Sequence, residues 1–437
     1  MTRPHTTWSR HLTEAPAERA APASEAEVVE LVKWAAAARR HVKIVGGGHS
    51  FSDIGLTDGV LVTLDRMRAV VNIDAPARRV TVQASIRLHE LIEALASRGL
   101  ALPILGSVVM QSIAGAISTG THGSSLQHAN LASLVCGMRL VTGRGEVLTL
   151  DEADERLAAA RVGLGALGVI TQVMLRCEPL FTLAEDARRV PIDRLIRDLD
   201  TIARSAEYVK IWWLPTLSFA NVYRYERTDQ RPTTSVSERW IDEAVVNRFL
   251  FTGLLGASRR WPRLTRPINR AIGAAYLRGE SRRVGRYDHV LTVAMPPVHR
   301  ETEYAVAMEQ AAEALGRVRA LIERQQLLVN FVMEVRFVKG DDAWMSPAYG
   351  RDSCQIGAYI ADNVHREAYF TGFERIMQTL GGRPHWGKEH NVTPEQVRAL
   401  FPLADRFVAL RRRLDPEGIF DNACLRRAIG QVGPVSI

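Results

Sequence analysis

Residues 45–53 read VGGGHSFSD, three consecutive glycines and a histidine at the end of the apolar run HVKIV. Three adjacent glycines carry a large conformational-entropy cost, so the backbone there does something that side chains would prevent. Glycines following a strand leave their N–H groups free to converge on an anion, normally a phosphate. Two nucleotide loops can be tested. A G-x-G-x-x-G fingerprint starting at Gly46 needs glycine where Phe51 stands, and one starting at Gly47 needs it where Ser52 stands. The terminal Gly-Lys-Ser/Thr of a Walker A loop is also absent. A phosphate cradle here falls outside the usual NAD and ATP schemes.

Working outward, GSVVMQSIAGAISTGTHGSS (106–125) and GLGALGVIT (163–171) are also rich in small residues. Singly, each reads as a turn or a close-packing device. Three such stretches in the first 175 residues fit a long, extended cofactor better than a single phosphate.

At 437 residues the chain is long for one core, and two domains are expected. The 46% hydrophobic and 24% charged residues place it among soluble globular proteins. Cys136, Cys177, Cys354 and Cys424 show no CxxC pair, which argues against a disulfide framework or a metal site and fits a reducing compartment. The N-terminus has no apolar signal region and no apolar run could cross a bilayer, so a cytoplasmic protein is expected. The net charge of +8 is carried mainly by arginine. Residues 248–286 interleave Arg259, Arg260, Arg263, Arg266, Arg270, Arg278, Arg282 and Arg283 with Trp261, Leu264, Ile268 and Ile272. Such a stretch suits either a solvated helical face or peripheral contact with an anionic membrane. Nucleic-acid binding is not expected, since no recognised motif accompanies the charge.

The first third reads as short, mixed elements. Ser24 precedes a helix reaching Arg40, HVKIVGG is a buried strand, LHELIEALASRGL a helix closed by Gly99, and MRLVTGRGEVLTL a hairpin. Beyond Leu180, VKIWWLP, FANVYRYER, DHVLTVAMPP, LLVNFVMEVRFVK and CQIGAYIA read as strands. YAVAMEQAAEALGRVRALIERQ and AYFTGFERIMQTLGG read as helices. The expectation is α+β, with an N-terminal domain over 1–180, a second domain with a large antiparallel sheet over 181–384, and a C-terminal segment 385–437 returning to the first.

GGGHSFSDI, GSVVMQSIAGAISTGTHGSS, EVRFVKGDD and RPHWGKEHN, in that order and spacing, resemble the vanillyl-alcohol-oxidase-type flavoproteins. Within them the pattern is similar to the aldonolactone oxidases and, beyond these, the alditol oxidases. The resemblance covers nearly the whole chain. It implies an FAD-binding domain and a cap domain, with FAD bonded covalently to His49. It also implies cofactor contacts from Val45, Gly46, Gly47, Gly48 and Ser50, from Ser107, Ser112, Gly115, Thr119, Gly120, Thr121 and His122, and from Ile170 and His385. The second, cysteinyl link of some relatives needs a cysteine in 106–115, and none is there. Gly106 falls where a small residue is thought to control oxygen access.

Glu334 and Arg336 stand two apart on an expected strand, so both face one side. Taken alone, such a pair is often a structural salt bridge; the resemblance implies a catalytic and substrate-binding role. It implies the same for Lys388, as a cation near the flavin, and for Ser107 in the substrate pocket. Where alditol oxidases carry His and Thr, this sequence has Gly357 and Tyr359, which favours the lactone reading. The implied reaction oxidises a CH–OH group of an aldono-1,4-lactone, or of a related sugar or polyol. Hydride passes to flavin N5, the hydroxyl proton to Glu334 or water, and the electrons to oxygen, giving hydrogen peroxide. Two alternatives stand beside it. One is a dehydrogenase of the same fold with a quinone or cytochrome acceptor; the other is a non-catalytic nucleotide- or membrane-binding protein.

Overall fold

The computed structural model describes residues 3–432 apart from 234–251, 276, 278, 294 and 362. Three strands, Glu18–Ala20 (β1), Val42–Val45 (β2) and Val60–Thr63 (β3), form a parallel sheet with β3 in the middle. The helix Glu25–Ala37 (α1) links β1 to β2. The Ser24 side chain accepts from the Glu27 N–H, and Glu25 and Glu27 complement the positive helix start.

A second sheet is antiparallel and runs β7-β6-β8-β5-β4. Its strands are Val70–Asp74 (β4), Arg79–Gln83 (β5), Val135–Val141 (β6), Val147–Asp151 (β7) and Val169–Arg176 (β8). Leu88–Ala96 (α2) and Ile113–Ser118 (α3) complete this half, and the Ser112 hydroxyl caps α3 by accepting from the Gly115 N–H at 3.3 Å.

The third sheet has eight strands, antiparallel throughout: Thr182–Pro191 (β9), Tyr208–Trp213 (β10), Phe219–Arg227 (β11), Ser281–Arg286 (β12), Arg300–Ala307 (β13), Met333–Val338 (β14), Ser353–Ile360 (β15) and Arg383–Pro384 (β16). Their spatial order is β12-β9-β11-β10-β14-β15-β13-β16. Because side chains alternate along a strand, each face has its own chemistry. Ile211, Val335, Ile356 and Tyr304 stand in register and share an apolar core with Leu315 and Phe373. These two come from the helices Ala311–Arg324 (α4) and Arg366–Thr379 (α5). The opposite face carries Trp212, Glu334, Gly357 and Glu303 in one row and Lys210, Arg336 and Gln355 in the next.

The C-terminal residues belong to the other core. Trp386, Phe401, Phe407 and Phe420 are buried with Val62, Leu91 and Ile113. The junction is hydrogen-bonded as well: Phe51 N–H donates to the Gly387 carbonyl at 2.7 Å, and Asn422 Nδ2 donates to the carbonyls of Asp53, Ile54 and Leu56.

Three expectations about elements are corrected. The described residues of 288–297 form no strand but begin within a short helix, Tyr287–Leu291, where the Thr292 hydroxyl donates to the Asp288 carbonyl and Arg286 holds the Asp288 carboxylate. Tyr304–Ala307 finishes β13 instead of opening a helix. Leu327–Val332 lies outside the strand, which starts at Met333. The basic stretch is likewise not one helical face. It forms the helices Thr252–Arg260 and Thr265–Ala275 and then β12, in which Arg283 turns to Glu185 at 2.9 Å. Arg248, Tyr276 and Arg278 lie outside the described residues. Among the described residues no helix is long and apolar enough to cross a membrane.

Candidate active site

One cavity of about 910 Å³ lies between the glycine loop and the polar face of the large sheet. The loop presses so closely on the segment carrying Met110 to Ser112 that side chains have no room. A Cβ on Gly46 would coincide with the Ser112 hydroxyl, and one on Gly47 would stand 2.7 Å from the Met110 carbonyl. Gly46 and Gly47 thus mark a close approach to the Met110–Ser112 segment, while Gly48 stands in open space and is glycine for its φ of +65°, and the loop forms a cavity wall.

Val45, Gly46, Gly47, Gly48, His49, Ser50, Gly106, Ser107, Ser112, Gly115, Thr119, Thr121, His122, Ile170, Glu334, Arg336, Tyr359, His385 and Lys388 all line this cavity. Gly120 does not. It follows α3 with φ +75°, backed by Pro347 and Val162, and shapes the turn that presents its neighbours.

Glu334 is buried at the centre of the polar face. Trp212 Nε1 donates to its Oε1 at 3.0 Å, Tyr359 Oη donates to its Oε2 at 2.8 Å, and the Ser107 hydroxyl reaches Oε1 at 3.5 Å. Burial alone would raise its pKa, but the charges of Arg336 and Lys210, with the bonds from Trp212 and Tyr359, hold it below the ordinary value. Gly357, the register partner of Glu334, leaves space over which the Tyr359 ring lies. A Cβ on Gly357 would sit 2.6 Å from that ring.

Arg336 does face the same side as Glu334, its Nε 3.4 Å from Glu334 Oε2. Its closer partner was not anticipated from the sequence. Arg336 Nη2 donates to both carboxylate oxygens of Glu303, at 2.9 and 3.0 Å. His122 Nε2 stands 2.8 Å from Glu303 Oε1. Against the effect of burial, Arg336 and His122 hold the Glu303 carboxyl well below the carboxylate range. Lys388 is anchored by Glu301, with its ammonium 4.5 Å from the centre of the Phe51 ring. His385 accepts from the Gly387 N–H at Nδ1, 3.0 Å away, and burial pushes its pKa well down, leaving a neutral ring.

The wall fits an anionic, flat, extended group. Lys43, on β2 between the first and third glycine-rich segments, is buried, and its Nζ has no hydrogen-bond partner among the described residues. Burial lowers its pKa to about 8, an environment in which an ammonium gains from a bound anion. Gln111 Oε1 and Glu301 Oε1, in other lining residues, are also unpartnered among the described residues. His49 has its pKa lowered by burial first and the Arg87 charge second, so its imidazole is held neutral. Where His289 lines the cavity, the ligand atoms of Glu93, Asp288 and His289 come within 4.8 Å of one another, with the Arg286 guanidinium paired to both carboxylates.

A backbone cradle thus stands opposite a sheet face of buried carboxylates and cations, and comparison with known proteins gives its class, an FAD-dependent oxidoreductase. The profile described as an FAD binding domain matches residues 16–151, and the profile described as D-arabinono-1,4-lactone oxidase matches residues 173–428. The chain belongs to the D-arabinono-1,4-lactone oxidase family. It is 38% identical to an L-gulono-1,4-lactone dehydrogenase of Mycobacterium tuberculosis over 97% of this chain and 98% of that protein. It is 34% identical to the L-gulonolactone oxidase of Bos taurus, over 96% and 97%, and 29% identical to an alditol oxidase of a Streptomyces species, over 96% and 98%. The fold matches a cholesterol oxidase of B. sterolicum with a TM-score of 0.86 at 15% identity, covering 99% of this chain and 97% of that one.

Proposed function

We propose that this enzyme oxidises a carbinol of an aldono-1,4-lactone, with oxygen as final acceptor and hydrogen peroxide as product. FAD, when bound, supplies the two-electron oxidant that takes the hydride. The observation that carries the lactone reading is Tyr359, whose ring covers Gly357 and whose hydroxyl donates to Glu334. A flat ring over a small residue narrows the pocket for an extended polyol and leaves a carboxylate–guanidinium pair to orient a cyclic substrate. Glu334, with its acceptor oxygens held by donors, orients the alcohol; Arg336 and Lys388 supply fixed positive charge that favours developing negative charge.

His49 is proposed to hold FAD covalently. A neutral imidazole nitrogen is the form that can make such a bond, and the His49 environment supplies it. The proposed division assigns 1–180 and 385–437 to FAD and 181–384 to substrate. Gly106, packed 3.1 Å from the Thr121 methyl at its absent Cβ, is proposed to leave oxygen a path.

The test is anaerobic flavin bleaching against aldonolactones, alditols and aldoses, followed by peroxide assay on readmitting air. Lactones are expected to bleach fastest, and bleaching by alditols alone would exclude the lactone reading. His49→Ala is expected to release its flavin on acid precipitation, whereas the parent protein keeps it. A second reading, contact with an anionic membrane, is favoured by one surface: Arg259, Arg260, Arg263, Arg266 and Arg270 are exposed beside Trp261, which is 57% exposed. Sedimentation with anionic but not neutral vesicles is its expected signature.

A further inference from the structure

Both carboxylate oxygens of Glu334 already accept hydrogen bonds, from Trp212 and Tyr359, which suits it to orient an alcohol more than to take up its proton. His299, one residue before β13, lines the same cavity and is 4% exposed. Its Nδ1 lies 2.8 Å from the Pro297 carbonyl. A carbonyl only accepts, so Nδ1 carries the hydrogen, and in the neutral ring Nε2 keeps a lone pair. The ring is fixed: it stacks on Phe331 at 4.5 Å and on Tyr359 at 5.3 Å, with Trp8 edge-on at 5.2 Å. Among the described residues, the acidic atom nearest to Nε2 that forms an ion pair with it is Glu301 Oε2, at 3.8 Å, too far for a hydrogen bond. The charged and titratable groups around the ring are therefore Glu301, Lys388 through Glu301, Tyr359, and Glu334 with Arg336 through Tyr359.

We propose that His299 Nε2 is the general base that accepts the carbinol proton, while Glu334 and Arg336 orient the alcohol. The proposal rests on the carbinol-oxidation reading above. In the step, the O–H bond breaks and its proton joins the Nε2 lone pair. The oxygen's freed electron pair forms the C=O bond, and the C–H pair leaves as hydride to FAD, the family's oxidant. The imidazolium that results lies beside the Glu301 carboxylate, with Oε2 at 3.8 Å and Oε1 without a hydrogen-bond partner among the described residues. The proton then passes to solvent. Lys388, sharing Glu301, keeps that carboxylate in place.

Two measurements test this. Nitrogen-15 NMR of histidine-labelled holoenzyme is expected to show His299 with its hydrogen on Nδ1; a hydrogen resident on Nε2 overturns the proposal. In stopped-flow reduction, with any lactone that bleaches the parent enzyme, His299→Gln is expected to lower the limiting rate about 10²–10⁴-fold. Calorimetric lactone affinity is expected to stay within about threefold. Glu334→Gln is expected to do the reverse, weakening affinity more than it lowers the limiting rate. A His299→Gln enzyme that reduces its flavin at the parental rate, or whose loss is in affinity alone, overturns the assignment. His299→Asn is the substitute if the Gln protein lacks flavin. A parent enzyme that no carbinol bleaches fails the broader reading instead, and is told apart because no variant enters that control.

Discussion

Tyr359 and Gly357 show how a single position acts through its neighbour. The Tyr359 hydroxyl donates to Glu334 at 2.8 Å only because Gly357 lets the ring lie flat across the sheet. Gly357→Ala is expected to displace the ring and remove that bond, raising the KM for lactone about tenfold. Tyr359→Phe is expected to match it, since a hydrogen bond to a charged group contributes about 1.5–3 kcal/mol. Steady-state kinetics check both; a Gly357→Ala enzyme with unchanged KM would separate the ring position from substrate binding. At this scale the sequence singles out residues that the fold brings to one cavity wherever chemistry is tied to residue identity: the glycine run, the histidine beside it, the Glu-x-Arg pair. Lys43 is not legible in the sequence, because a lysine within an apolar strand carries no motif, and only the fold shows its ammonium buried without a hydrogen-bond partner among the described residues.

At the scale of elements, one of the three departures from the sequence pattern, in β13, bears on the site. YAVAMEQAAEAL is rich in helix formers, so the helix was expected from Tyr304, yet the chain stays extended to Ala307 because β13 pairs with β15 and β16. Tertiary pairing overrode propensity. Read as a strand, His299, Glu301 and Glu303 alternate onto one face, the signal that would have revealed three charged or titratable residues of the network. Glu303 has the largest structural consequence of the three. Replacing it with Gln leaves Arg336 buried without its bidentate partner, and breaking a buried pair costs about 3–5 kcal/mol. Glu303→Gln is therefore expected to lower the urea midpoint sharply. Glu303→Gln combined with Arg336→Met is expected to lose less than the sum of the two single changes, a double-mutant cycle that measures the coupling.

At the scale of the whole molecule, the C-terminal segment closes the first core and contributes to the cavity, a long-range relation that strand and helix patterns do not encode. The segment also carries a pH response. His390 is buried against Trp386, and neither ring nitrogen has a hydrogen-bond partner among the described residues. Burial, followed by the Arg427 charge, lowers its pKa from 6.5 to about 4. Above pH 6.5 the ring is neutral in both folded and unfolded chains. Between 6.5 and 4 the unfolded chain binds a proton that the folded one refuses, so stability falls with pH by about 1.4 kcal/mol per unit. His385 acts in the same direction. Asp341, raised by burial to about 6, opposes both, because its folded form holds a proton the unfolded chain has lost. Glu303 and Glu334, with lowered values, contribute stability that is lost only at lower pH, as it falls through their folded pKa values. The His390 part is isolated by difference. Between pH 7.5 and 5, His390→Leu is expected to lose ~2 kcal/mol less stability than the parent in urea titrations, while equal losses in the two proteins would mean that this ring is protonated when folded.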